Sequence, residues 1–86
     1  MSHFLISRLG NWKIQINCHD GIRLLGNEKE MILLDQDNDK IAHFSIDSKG
    51  GFLIHQIPWG GYVKMKEGNQ TIVVDVPFEE EFEEKI

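Results

Sequence analysis

Apolar and polar residues alternate with a period of two along much of this chain. The clearest run is Trp12 to Cys18, where Trp12, Ile14, Ile16 and Cys18 fall on one side and Lys13, Gln15 and Asn17 on the other. Successive side chains of an extended backbone leave it on opposite faces, so this run predicts a strand with one face in a core and one in water. Ile41–Ile46 repeats the pattern, with Ala42, Phe44 and Ile46 set against Ile41, His43 and Ser45. His3–Arg8, Ile22–Leu25, Tyr62–Lys66 and Thr71–Val76 read as further short strands, and Met31–Leu34, apolar throughout, as a strand covered on both faces.

Residues that suit turns separate these runs: Gly10-Asn11, Asp20-Gly21, Gly26-Asn27, Asp37-Asn38, Lys49-Gly50-Gly51, Pro58-Trp59-Gly60-Gly61 and Gly68-Asn69. Between two of the glycine pairs, the stretch Gly50–Val63 places Phe52 and Ile54 on one side and Leu53 and Ile57 on the other. Apolar residues on both faces predict a central core strand there. Pro58 in second position and Gly60 in fourth predict a type I turn with Trp59 third.

About eight short strands at this spacing predict an all-β domain over residues 1–76, either a small antiparallel barrel or a rolled sandwich traced as a meander. No helical period interrupts them, so βαβ nucleotide folds are excluded. The one helix pattern lies in residues 77–86, where Phe78, Phe82 and Ile86 recur every four residues among glutamates and Pro77 stands at the start. Such a short helix needs a surface to dock on. A meander closed by one C-terminal amphipathic helix resembles the plan of PH-like barrels, a likeness of architecture that implies no function.

Charge sharpens this division. The net charge is −5, yet residues 77–86 hold five Glu and one Lys, which leaves nine acids against eight bases in residues 1–76. The body is nearly neutral and the tail acidic. At 86 residues only one core fits, and dimerisation is a common way for so small a domain to add buried area. A single cysteine, Cys18, allows no internal disulfide, and no run approaches a membrane span or a signal peptide, so the expected setting is cytoplasmic.

Residues able to carry chemistry are scattered. Cys18, His19, His43 and His55 are zinc-ligand types, but no short knuckle pairs them, and consecutive Cys18 and His19 leave a strand on opposite faces. The expectation is no metal, no cofactor and no catalysis. His55, within the segment expected to be most buried, would make an interface pH-sensitive if a second subunit covered it. Asp35, Asp37 and Asp39 resemble the opening of a calcium loop, but Ile46 stands where its twelfth-position glutamate belongs. The glycine pairs adjoin strands and open no helix, which argues against phosphate loops.

Two surfaces remain. Trp59 and Tyr62, with Phe78 and Phe82, are numerous aromatics for a small core, and exposed aromatics mark binding sites. The leading expectation is therefore a protein-interaction module that binds itself or a basic partner, with Trp59 and Tyr62 as anchors and Glu79, Glu80 and Glu83 supplying charge. The rival is a single-stranded nucleic-acid platform formed by Tyr62, Lys64 and Lys66 together with Lys13, with the acidic tail as internal competitor.

Overall fold

In a computed structural model that describes residues 2–66 and 68–77, the chain forms eight strands: β1 Ser2–Leu9, β2 Trp12–His19, β3 Arg23–Gly26, β4 Glu30–Leu34, β5 Lys40–Ile46, β6 Phe52–Gln56, β7 Tyr62–Lys66 and β8 Thr71–Asp75. There is no helix among the described residues. The predicted C-terminal helix, with Phe78, Glu79, Glu80, Phe82 and Glu83, lies outside them.

The strands form two four-stranded sheets, ordered β1-β2-β8-β7 and β3-β4-β5-β6. Alternation sets the inner faces. Leu9, Ile14, Ile16, Ile72 and Val74 from the first sheet and Met31, Leu33, Ala42 and Phe44 from the second are buried together in one apolar cluster. The alternating faces of β2 and β5 fall as the sequence predicts. Among the described residues no closed barrel forms: each sheet keeps its own two edges, so the layered alternative is the one observed.

Only the second sheet is a simple meander. In the first, β8 inserts between β7 and β2 and runs parallel to β2, with Ile14 beside Ile72 and Ile16 beside Val74. A parallel neighbour needs a long return connection, and here that connection is the entire second sheet plus β7. Its central place buries Thr71, Ile72, Val73 and Val74 on both faces.

The segment expected at the centre is instead an edge. β6 pairs with β5 alone among the described strands. Phe52 is anchored, its ring centroid 5.9 Å from that of Trp12 and 5.5 Å from that of Phe44, but the rest of the strand is exposed. Apolar residues on both faces of a segment show only that neither face repels a partner; which strand lies beside it depends on pairings elsewhere in the chain.

Candidate functional site

β6 and the turn after it expose apolar surface on a rigid support. Leu53, Ile54 and Ile57 are each about half exposed and Trp59 is 78% exposed. The turn is tight: the Gly61 N–H donates to the Pro58 carbonyl at 2.9 Å, which makes Pro58 the first turn residue and Trp59 the second. Gly60 in third position has φ +77°, as a type II turn requires, so a type II turn beginning one residue later replaces the predicted type I turn. Pro58 is buried, and Gly61 lies so close to the Asp75 carbonyl and the Pro77 ring that a Cβ would collide with the former. Trp59 is thus held out from a turn fixed at both ends.

The first sheet's β1 lines one groove with Leu24 and Met31 of the second, which places β7 on the β6 side of the sandwich. Ile54 and Met65 belong by phase to the inner faces, beside buried Phe44 and Ile72, yet both are exposed.

An unpaired edge offers a row of backbone donors and acceptors to any extended chain, and proteins usually blunt it with charge, shortness or a bulge. β7 carries Lys64 and Lys66, β3 is only four residues long and contains Arg23, and β1 carries Arg8. β6 has no charged guard, since the whole stretch Gly50–Val63 lacks Asp, Glu, Lys and Arg, and its only blunting feature is a bulge at His55, where the register with β5 shifts.

A second surface is the outer face of the first sheet. The register places Arg8 directly opposite Lys13, then Thr71 and Lys66, in one row across all four strands. Lys64 lies in the next row beside Val73, Gln15 and Ile6. The third row is Phe4, Asn17, Asp75 and Tyr62. Lys13, Tyr62, Lys64 and Lys66, scattered over the sequence, therefore share a face. Arg8 and Phe4 join them, and sequence reasoning missed both; the phase of Phe4, Ile6 and Arg8 across the Gly10 hairpin from Lys13 is the signal that was available.

The outer face of the second sheet carries the histidines. His43 and His55 stack with centroids 4.4 Å apart, His43 Nε2 lies 2.8 Å from Glu30 Oε1, and the Ser45 hydroxyl lies 2.6 Å from His55 Nε2. His55 is thus an exposed partner of His43 and not the buried histidine expected. A hydroxyl against an imidazole begins a nucleophilic pair, yet the carboxylate that would orient the base is bound to the other ring. Cys18 is distant in kind: it points into the core, where burial, with Asp20 adding to it, pushes its thiol above the usual range. Asp35, Asp37 and Asp39 bring carboxylate oxygens within 4.8 Å of one another, but Asp35 is engaged in its own turn, accepting from the Asp37 and Asp39 backbone N–H groups at 2.9 Å.

None of the comparisons, with protein-family models, with curated proteins or with solved structures, gives a match for this chain.

Proposed function

We propose that the protein is a non-catalytic interaction module that self-associates by pairing the β6 strands of two copies into one continuous sheet. The observation that carries this reading is the uncharged edge strand with exposed Leu53, Ile54 and Ile57 beside an outward Trp59.

A two-fold axis through Ile54 makes the strand its own antiparallel partner, setting Leu53 opposite His55 and Phe52 opposite Gln56. No charge meets a like charge across that axis. Such pairing satisfies the free backbone groups of both edges and covers apolar side chains that water otherwise surrounds. Trp59, on its fixed turn, supplies a large anchor at low entropic cost. β6 carries the association.

Hydrogen exchange at low and high protein concentration tests the reading. Backbone amides of residues 52–56 gain protection as concentration rises, while those of the β7 edge do not. Exchange in 52–56 that is independent of concentration contradicts it.

A further inference from the structure

The geometry points to the outer face of the first sheet as a binding platform for single-stranded nucleic acid. Its cationic part is Arg8, Lys13, Lys64 and Lys66, all exposed, and its stacking part is Tyr62 and Phe4. This site is independent of the β6 edge, which belongs to the other sheet.

Three features of the register support it. Neighbouring strands lie about 4.8 Å apart, so the row Arg8–Lys13–Thr71–Lys66 spreads three cations over roughly 14 Å, a track for a backbone rather than a pocket for one anion. Arg8 and Lys13 are direct cross-strand partners, and like charges so placed destabilise a sheet. An anionic ligand turns that cost into attraction.

The third feature separates nucleic acid from an acidic polypeptide. Two residues along the strands from Lys64, or about 7 Å, stands the row Phe4–Asn17–Asp75–Tyr62. Tyr62 is 50% and Phe4 60% exposed, and each presents a ring to solvent. Between them lie the amide of Asn17, which accepts from the Gln15 side chain at 3.3 Å, and the Asp75 carboxylate. The Asp75 carboxylate repels a phosphate as it repels an acidic side chain, but it accepts from the amino groups of bases, which an acidic peptide does not offer. Cations beside aromatics on one sheet face suit a strand whose phosphates run over one part and whose bases stack on the other.

Fluorescence anisotropy of the full chain with a labelled single-stranded oligonucleotide of about 12 nucleotides, a length such a platform occupies, tests the assignment. Binding weakens with salt with a log–log slope of about −3, as four phosphate contacts require, and Lys64→Ala or Lys66→Ala each makes the slope shallower by about 0.7. Tyr62→Ala weakens binding by about five-fold or more without altering the slope, and Tyr62→Phe restores it. Leu53→Lys, on the other sheet, leaves binding unchanged, so this test stands or falls apart from self-association. Absence of binding at low ionic strength overturns the proposal, as does binding indifferent to Lys13→Glu. Equal competition by a polyglutamate peptide, with Tyr62→Ala silent, also overturns it and assigns the face to an acidic polypeptide.

Discussion

Cys18 shows how one buried side chain shapes the response to pH. Its raised thiol pKa means that the unfolded chain releases this proton before the folded one. The contribution is fully present below the ordinary thiol value, about 8.5, and is lost as pH rises through the higher folded value. Denaturant titrations should therefore show stability falling more steeply above that pH in the native sequence than in Cys18→Ala, and a thiol reagent at neutral pH should label the folded protein far more slowly than the unfolded one. Phe44, fully buried and stacked on Phe52, should cost about 3–5 kcal/mol on truncation to alanine, read as a lower denaturation midpoint. On the opposite face, Arg8→Gln should stabilise the fold by about 0.2–1 kcal/mol by relieving its pairing with Lys13. A gain in stability accompanied by a loss of anion binding would mark that charge pair as kept for ligand. At this scale the sequence was informative: the buried faces of Trp12–Cys18 and Ile41–Ile46 follow directly from alternation.

Elements proved harder to place than residues. β6 was recognisable as a strand from its bracketing glycines and its β-compatible residues, but its position was not, because edge and centre differ in what lies alongside and not in what the strand contains. The missing charge had two readings, burial on both sides or an edge without a charged guard, and only the pairing with β5 alone separates them. The turn that follows was misplaced by one residue because Pro58 is used for its buried ring and its carbonyl, not for a preset φ in second position. Gly60→Ala should cost about 1–2 kcal/mol through its positive φ. Gly61→Ala should cost more, since its Cβ meets the backbone of β8 and β7 must shift to relieve the clash. Thermal unfolding of the two variants checks that order.

For the molecule as a whole, the count and class of strands were legible and the topology was not. β8 joins β2 in parallel across more than fifty residues, and no local pattern encodes a pairing at that range. That pairing assembles Lys13 with Lys64, Lys66 and Tyr62, so the basic face was visible only as fragments. It also leaves β7 and β6 at one side of the sandwich, the first edge guarded by lysines and the second by no charge, only by the bulge at His55. Self-association through β6 follows from that asymmetry. It is tested most directly by light scattering of the full chain beside Leu53→Lys and beside a chain ending at Pro77. The native chain of 10.0 kDa should give twice that mass, Leu53→Lys should give the single mass with its strand content intact, and the shortened chain should remain a dimer. A native chain that stays at the single mass as concentration rises, or a dimer that survives Leu53→Lys and is lost on removal of the tail, would contradict it.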